Sequence, residues 1–347
     1  MKHLHNRVDR KLLKKQLEES SIIRNTVSFY KYAKIRNTQI FRDHLFTVLS
    51  DIDVLGRIYI ATEGINGQIS VPQANYQALK ESLYSITFLD GCRLNVAIED
   101  DGKSFFKLAI KIRKKIVADG IQDENFDVTD NGLHINASEF NKLTDQDDTI
   151  VIDMRNHYEH EVGHFKGAIR PDVETFRESL PIVEDILNEH REKNVIMYCT
   201  GGIRCEKATA YFKHKGFENL YQVDGGIIEY ARNAEEVGIE NKFIGKNFVF
   251  DDRLGERITE DVIAQCHQCG KPSDTHTNCA NDACHILFIQ CEECAESHAG
   301  CCSQKCQDFN LLPEEERDQL KGSMEFNGTK FGKGRYKAAK NDMLHED

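Results

Sequence analysis

The stretch VIMYCTGGIRCEKATAYF, residues 195–212, places Cys199 directly after an apolar run. The spacer between Cys199 and Arg204 is short and glycine-rich, and it consists of Thr200, Gly201, Gly202 and Ile203. Glycines let successive backbone N–H groups turn toward one point, and a helix that begins near Arg204 adds positive potential there. Both effects stabilise a thiolate or a persulfide anion, so the spacing predicts a nucleophilic cysteine. Arg204 either closes this loop or holds its shape, and Cys205 is either a resolving thiol or a packing residue.

Nine further cysteines lie between residues 266 and 306. Two Cys-x-x-Cys pairs, Cys266/Cys269 and Cys291/Cys294, have 21 residues between them, which is close to the spacing of a zinc ribbon. A second, interleaved set would consist of Cys279, Cys284, Cys302 and Cys306, with Cys301 left over. Structural zinc takes four tetrahedral ligands, so the segment predicts one or two such sites, in which His285 or His298 could replace a cysteine. The alternative is a reduced module without metal, and a catalytic zinc is not expected.

A cluster of positive charge is the third feature with possible binding chemistry. Residues 107–115 contain five cations and no acid. In KLAIKIRKKI the apolar residues Leu108, Ile110 and Ile112 alternate with cations, which predicts a strand with one polar face. The candidate phosphate-binding cations are Lys107, Lys111, Arg113 and Lys115. This face is either simply solvated or binds phosphates.

The composition allows a nucleic-acid partner for one part of the chain. A length of 347 residues suggests two or three domains, and the net charge is −12. Residues 1–120 carry a net charge of +7, whereas residues 121–326 carry −21. No apolar run approaches the roughly 18 residues of a membrane span, and no signal peptide is recognisable. We therefore expect a cytoplasmic protein without a membrane partner, in which the twelve cysteines are ligands or catalytic thiols, not disulfides.

The first 120 residues have a βαββαβ order of apolar patterns. Strand-like segments are TVSFYKYAKI and GRIYIATEGINGQISV, the second with a turn at Glu63-Gly64 or at Asn66-Gly67. The last strand lies within residues 92–98, within 106–117, or in both. This order predicts a ferredoxin-like or acylphosphatase-like sandwich. The segment ATEGINGQIS lacks the Lys and Ser/Thr of a nucleotide-binding loop, so an ordinary hairpin explains its glycines.

Residues 125–235 alternate buried strands with helical segments. TIVIDMR, VIMYC and LYQVDGG are the strands, and this alternation predicts an α/β domain with a largely parallel sheet. Function in such a sheet lies beyond the carboxyl ends of the strands. Cys199 is at one of those ends.

The middle third of the chain resembles a rhodanese domain. The motif residues that match in VIDMRNHYEHEVGHFKGAI are Asp153, Arg155, Glu159, Gly163, His164, Gly167 and Ala168. The closing Gly-Gly segment of the family matches Gly225 and Gly226. The resemblance implies that Cys199 carries sulfur as a persulfide. Phosphatase relatives use a loop one residue longer, so the four-residue spacer implies sulfur chemistry. We expect Asp153, Arg155 and His164 to support the fold without reacting.

Nearly the whole chain is similar to a narrower family, the bacterial rhodanese-related tRNA uridine hydroxylases. The stretches that carry this similarity are SFYKY, ATEGINGQIS, GKNFVFDDRLGERI, CTGGIRCEKA and CHQCGKPSDTHTNCAN. The resemblance implies formation of 5-hydroxyuridine at the tRNA wobble position with molecular oxygen. It implies the tRNA anticodon loop as partner, and no DNA. No flavin or nicotinamide fingerprint and no two-histidine-one-carboxylate pattern is recognisable, and the sequence specifies no oligomeric state.

Two other functions compete with hydroxylation. One is a persulfide sulfurtransferase that passes sulfur to another acceptor, and thiosulfate:cyanide activity would reveal it. The other is an RNA- or protein-binding scaffold with a vestigial loop. The intact loop from Cys199 to Arg204 argues against the scaffold.

The predicted domain limits follow these patterns. Residues 1–22 form a basic extension, 23–120 the sandwich with its expected tRNA contacts, and 125–240 the rhodanese domain. Residues 241–312 form a linker strand and the cysteine-rich module. The tail, residues 313–347, is expected to be flexible and could stack on RNA. Its basic and aromatic residues are Lys330, Phe331, Lys333, Arg335, Tyr336, Lys337 and Lys340.

Overall fold

The computed structural model describes residues 10–100, 102–123, 125–320, 323–328 and 335–337. Within these residues the chain forms an N-terminal sandwich, a central α/β domain and a cysteine-rich module. This confirms the predicted combination of α+β and α/β architecture. No helix in these ranges is long and apolar enough to cross a membrane.

Helix α1, Arg10–Glu18, precedes the N-terminal sandwich. The strands of the sandwich are β1 Arg24–Tyr32, β2 Leu55–Ala61, β3 Gly64–Pro72, β4 Asn95–Val96 and β5 Leu108–Ile112, and its helices are α2 Thr38–Asp51 and α3 Tyr76–Tyr84. The sheet order is β4-β1-β3-β2-β5, in which only β5 pairs in parallel, with β2. Both candidate segments for the last strand are therefore strands. The turn between β2 and β3 lies at Thr62–Glu63, next to the first of the two predicted positions.

The two faces of this sheet have different partners. Val27, Phe29 and Ile58 belong to the apolar core that the sheet shares with Leu45 and Leu79 of the two helices. Successive residues of a strand point to opposite faces. The polar residues between the core positions therefore lie on the other face, which is turned toward the central domain.

The central domain contains a parallel sheet of order β6-β10-β9-β7. Its strands are β6 Leu133–Ile135, β7 Thr149–Asp153, β8 Gly163–Phe165, β9 Asn194–Tyr198 and β10 Leu220–Val223, of which β8 lies outside the parallel sheet. Its helices are α4 Ala137–Thr144, α5 His157–His160, α6 Phe176–Glu189, α7 Ile203–His214 and α8 Gly226–Val237. The three predicted strands correspond to β7, β9 and β10.

The C-terminal part is joined to the central domain by a small sheet. Strand β11, Phe243–Asn247, pairs antiparallel with β8 and with β12, Glu256–Arg257. The cysteine-rich module follows, with β13 His276–Asn278, β14 Leu287–Ile289, α9 Glu292–Ser297, α10 Gln304–Leu311 and α11 Glu314–Leu320. The predicted linker strand is thus β11, and it extends the central domain.

The described residues of the tail contact the rest of the molecule. The tail begins with helix α11, and Arg335 forms an ion pair with Asp172, with 2.9 Å between Nη1 and Oδ2. The Tyr336 ring stacks on Phe288, with 5.7 Å between ring centroids. These contacts hold the described tail residues against the molecule. Lys330, Phe331, Lys333 and Lys340 lie outside the described residues.

Candidate active site

Cys199 follows β9 directly, at the carboxyl end of the parallel sheet. Its side chain is completely buried, and the backbone N–H of Gly202 donates a hydrogen bond of 3.2 Å to its sulfur. Gly202 has a φ of +97° and is the N-cap of α7. This left-handed conformation suits glycine, and it turns the N–H toward the sulfur. The predicted loop therefore has the local geometry that stabilises a sulfur anion.

The closing segment Gly225-Gly226 precedes residues that hold the Cys199 loop through backbone hydrogen bonds. The N–H of Ile227 donates to the Cys199 carbonyl at 3.0 Å, and that of Ile228 donates to the Thr200 carbonyl at 3.3 Å. A Cβ on Gly226 would lie 2.5 Å from the Cys199 carbonyl oxygen, so only glycine fits at this position. These bonds fix the loop carbonyls and leave the loop N–H groups available to the sulfur.

The surroundings of Cys199 favour the thiolate. Burial alone would raise the pKa of the Cys199 thiol, but a hydrogen bond from the Cys205 thiol, the charge of Arg204 and nearby backbone N–H groups lower it to about 5. The pKa of Cys205 is raised well above its usual value, by burial and by the hydrogen bond to Cys199. Cys199 is thus ionised at neutral pH, and Cys205 remains a thiol that donates to it.

Arg204 holds the loop through Glu159. Its two terminal nitrogens each donate a 2.7 Å hydrogen bond to one oxygen of Glu159, and both side chains are buried. A bidentate pair of this kind fixes the guanidinium plane. Of the two predicted roles, the geometry matches a positioning residue that also contributes positive potential at Cys199.

Asp153, Arg155 and His164 are the three residues that the sequence predicts to support the fold. Asp153 and Arg155 form a fully buried ion pair of 2.6 Å, and Arg155 also donates to the carbonyl of Gly163 at 2.7 Å. His164 lies in β8, with 3.1 Å between its Nδ1 and the carbonyl oxygen of His160. Burial and the nearby Arg170 lower the pKa of His164 to about 4. These residues tie β7 to β8 and do not line the cavity described below.

Two tyrosines of β1 reach across to the nucleophile loop. The Tyr32 hydroxyl donates to the carbonyl of Ile203 at 3.1 Å, and the Tyr30 hydroxyl donates to Glu206 at 3.2 Å. A Cβ on Gly202 would lie 2.7 Å from the Tyr30 hydroxyl oxygen. The N-terminal sandwich therefore packs directly on the first turn of α7.

A buried lysine strengthens the same contact between the domains. Lys207 of α7 is completely buried, and its ammonium lies 2.8 Å from Glu63 and 2.5 Å from Asp119. Glu63 is in the β2–β3 turn, so the hairpin that the sequence predicts is a docking element. A buried charge is stable only when it is paired, and these two carboxylates pair it.

A cavity of about 400 Å³ lies between the free face of the N-terminal sheet and the Cys199 loop. The N-terminal residues that line it include Ser28, Tyr30, Tyr59, Asn66, Gln68 and Asn95. Cys199, Thr200, Gly201, Ile203 and Arg204 line it from the central domain. A second cavity of about 300 Å³ shares Tyr30, Asn95 and Gly201 with the first. Cys199 therefore lies at a pocket that both domains build.

Three of the four predicted tRNA-binding cations are exposed. Lys107, Lys111 and Arg113 face solvent on or beside β5, and the Arg113 guanidinium lies 5.1 Å from the centre of the Tyr59 ring. Because Tyr59 also lines the larger cavity, Arg113 lies close to it. Lys115 differs, since its ammonium donates to Asp119 at 2.7 Å and to the carbonyl of Ile121. It therefore has a structural partner inside the protein.

The eight predicted metal ligands form two groups. In each group the four sulfurs lie within 4.8 Å of one another, and the groups are Cys266/Cys269/Cys291/Cys294 and Cys279/Cys284/Cys302/Cys306. Sulfur–sulfur distances of 3.6 to 3.7 Å occur in both groups. A tetrahedral zinc with Zn–S bonds of about 2.3 Å requires about 3.8 Å between sulfurs. The donors and their spacing fit zinc, and Cys301 belongs to neither group.

Several residues of the site were not among the predicted site residues. Glu159 belongs to the rhodanese motif, and this motif was the one sequence feature that could have indicated its role as the partner of Arg204. Tyr30 and Tyr32 lie in SFYKY, a stretch that the family similarity had marked. Lys207 lies in CTGGIRCEKA, another stretch that carries the family similarity. Asn95 gave no signal, because its importance depends on contacts between domains.

Comparison with known proteins extends these observations over the whole chain. Residues 24–116 match the UPF0176 acylphosphatase like domain, 136–233 the Rhodanese-like domain and 244–307 the Rhodanase C-terminal model. A protein of Photorhabdus laumondii is 53% identical over 336 residues, covering 96% of this chain and 95% of that protein. One of Yersinia pestis is 55% identical over 329 residues, covering 94% and 92%. Both are named tRNA uridine(34) hydroxylase. Matches of this identity and coverage show that the chain belongs to the tRNA uridine(34) hydroxylase family.

Proposed function

We propose that this chain hydroxylates uridine at position 34 of tRNA, the wobble base, to 5-hydroxyuridine, with molecular oxygen as co-substrate. The observation that carries the proposal is the Cys199 thiolate at a cavity between two domains, in a chain whose relatives are named for this reaction. The base lies in the anticodon loop, so it can enter such a cavity without opening a duplex.

Cys199 supplies a nucleophile for the uracil ring. In this mechanism the thiolate, or a persulfide that it carries, forms a bond to C6 while the C5=C6 electron pair moves toward the C4 carbonyl oxygen. C5 of the resulting enolate is electron-rich and is the atom that accepts oxygen. The oxygen adds to C5 as a hydroperoxide, and two electrons and two protons from an external thiol reductant cleave its O–O bond, so that one oxygen stays as the C5 hydroxyl and the other leaves as water. Loss of the sulfur from C6 as the anion that added, together with loss of the C5 proton, then restores the C5=C6 double bond. A tRNA with 5-fluorouridine at position 34 should form a covalent adduct with Cys199, and failure to form one during turnover would contradict this step.

The anticodon loop would be held by the exposed cations beside the cavity. Lys107, Lys111 and Arg113 are available for phosphates, and Arg113 contacts the cavity residue Tyr59. Aromatic rings flanked by guanidinium groups are common stacking surfaces for single-stranded RNA. The net charge of +7 over residues 1–120 supports this orientation of the tRNA.

The charged residues that line the cavity favour hydroxylation over a reaction in which a small anion such as thiosulfate donates sulfur to Cys199. Its arginines, Arg57, Arg204 and Arg253, are matched in number by the acids Glu174, Asp251 and Glu256. Arg204 is bound to Glu159, and Arg253 to Asp251 and Glu256. A doubly charged ion such as thiosulfate would thus meet the Cys199 thiolate with only Arg57, whose described hydrogen-bond partners are neutral, to offset the repulsion. We expect negligible thiosulfate:cyanide activity.

The two cysteine groups are proposed to bind one structural zinc ion each. Both sets have four thiolate donors and no open position, so zinc would crosslink the module and would take no part in the reaction. Metal analysis of the purified protein should find two zinc ions per chain, and Cys291→Ser should lower the content to one. Retention of both ions in that variant would show that Cys291 is not a ligand.

The deciding experiment is genetic. Cells lacking the protein are complemented with the wild type, with Cys199→Ala or with Cys301→Ala, and 5-hydroxyuridine in their tRNA is quantified by mass spectrometry. Cys301→Ala is the control, because Cys301 is a buried cysteine that belongs neither to the Cys199 loop nor to either group of four cysteines. The wild type and Cys301→Ala should both restore the nucleoside. Cys199→Ala should not. If the wild type also fails, the substrate is wrong and sulfur transfer becomes the better proposal.

A further inference from the structure

Asn95 is a buried amide without a complete set of partners at the centre of the site. It begins the short edge strand β4, opposite Ser28 of β1, and only 4% of its surface is exposed. Its side chain lines both cavities, and its Nδ2 lies 3.8 Å from the point where a Cβ on Gly201 would be. Its Oδ1 has no hydrogen-bond partner among the described residues.

An unpaired buried amide oxygen needs an explanation, because buried polar groups in native proteins are nearly always hydrogen-bonded. Packing does not provide one, since a residue without a polar end could fill the same space. A ligand in the cavity does provide one. The amide of asparagine combines one acceptor with one donor side by side. Its complement is a planar group that likewise offers a donor next to an acceptor.

The remaining cavity wall indicates the kind of ligand. Tyr59, Val249 and Phe250 are flat or apolar surfaces, and Asn66 and Gln68 add neutral polar groups. Arg57, the third arginine of the lining, donates to Gln68 at 2.8 Å and to the carbonyl of Phe250 at 2.9 Å. A neutral, planar heterocycle therefore suits the cavity better than a phosphate or a sulfur oxyanion. Uracil, with N3–H next to a carbonyl, has the required edge.

We propose that the cavity beside Cys199 is a pocket for a single uracil base, and that Asn95 hydrogen-bonds its N3–H and an adjacent carbonyl. This inference rests on the proposed function and adds the residue that reads the substrate. The flat edge contact with Asn95 fixes the ring in its plane on the Gly201 side of the loop. The sulfur of Cys199 then meets the ring from the loop side.

The test measures binding of anticodon stem-loops that differ only in the base at position 34. The protein is the full chain with Cys199→Ala, which prevents turnover, and the bases are uridine, N3-methyluridine and cytidine. N3-methyluridine should bind at least tenfold more weakly than uridine, because the methyl group replaces the proton that Asn95 accepts. Equal binding of these two loops would overturn the proposal without the need for any further variant.

Asn95→Asp provides the second measurement. A carboxylate keeps the shape of the amide but only accepts, and it suits the exocyclic amino group of cytosine. The ratio of uridine to cytidine affinity should therefore shift toward cytidine by about tenfold or more. A purely structural role would weaken all loops equally and leave this ratio unchanged, which would refute the inference. Asn188→Asp, an exposed change on α6, is the matched control and should leave every affinity unchanged.

Failure of this inference differs from failure of the proposed function. If wild-type protein restores 5-hydroxyuridine in cells but Asn95→Asp leaves the ratio of uridine to cytidine affinity unchanged, only the assignment of Asn95 is wrong. If wild-type protein restores no 5-hydroxyuridine, the proposed function itself is wrong.

Discussion

Replacing Cys205 should change the acidity of Cys199 in a measurable way. The Cys205 thiol is a hydrogen-bond donor to the Cys199 sulfur, and Cys205→Ala removes it. A hydrogen bond to a charged group contributes about 1.5–3 kcal/mol, and a thiol is a weak donor, so the lower value applies. One pKa unit corresponds to about 1.4 kcal/mol. The pKa of Cys199 should therefore rise by about one unit, from the wild-type value of about 5.

The assay is alkylation of Cys199 by iodoacetamide after reduction, followed across pH by mass spectrometry of the Cys199 peptide. The thiolate reacts, so the rate rises with pH and levels off above the pKa. At pH 5 the variant should have roughly one fifth of the thiolate of the wild type, whereas near pH 8 both are fully ionised. The plateau rate of the variant should be about threefold higher, because a more basic thiolate is a better nucleophile.

Cys205→Ser is the matched control for this experiment. Serine is close in size to alanine but keeps a hydrogen-bond donor, so its midpoint should stay near that of the wild type. If the midpoint of Cys205→Ala coincides with that of the wild type, the hydrogen bond from Cys205 does not contribute to the acidity of Cys199. If both variants shift equally, altered packing and not the lost donor is the cause.

Three further predictions concern stability. Glu159→Gln leaves the buried Arg204 without its counter-charge and should lower the free energy of unfolding by about 3–5 kcal/mol in urea titrations, whereas the exposed Glu189→Gln should change it by less than about 0.5 kcal/mol. Lys207→Met should lower the free energy of unfolding by about 3 kcal/mol, the lower end of that range, because Lys115 still pairs with Asp119. An unchanged urea midpoint would contradict the role of Lys207 between the domains. The native pKa of Cys199 is about 5 and that of an unfolded cysteine about 8.5, so the unfolded chain binds more protons between these values. The stability advantage of the wild type over Cys199→Ser should therefore shrink as pH falls from about 8.5 toward 5, and a pH-independent difference would refute it.

Local sequence patterns predicted most elements of the fold. Alternating and continuous apolar runs gave the strands of both domains, because burial of one or both faces leaves a direct trace in the chain. The geometry of the loop was also predictable, since Cys199, the glycines and Arg204 lie within six consecutive residues. The structure brings the eight cysteines together in the same two sets of four that the sequence spacing indicated, because closely spaced pairs restrict which sulfurs can meet. The contacts of the described tail residues with Asp172 and Phe288 were not predictable from local patterns, because these partners are distant in sequence.

The sequence by itself determined the family and singled out Cys199 as the candidate nucleophile, because both depend on residues that are close together or on overall similarity. Only the tertiary structure decided what surrounds that nucleophile. The partner of Arg204 lies 45 residues away, Lys207 is neutralised by Glu63 at a distance of 144 residues, and Asn95 meets Gly201 from another domain. Such contacts depend on how the N-terminal sheet docks on the carboxyl end of the parallel sheet. No local pattern encodes that docking, because each of these side chains has its electrostatic or hydrogen-bonding role only once the two surfaces meet.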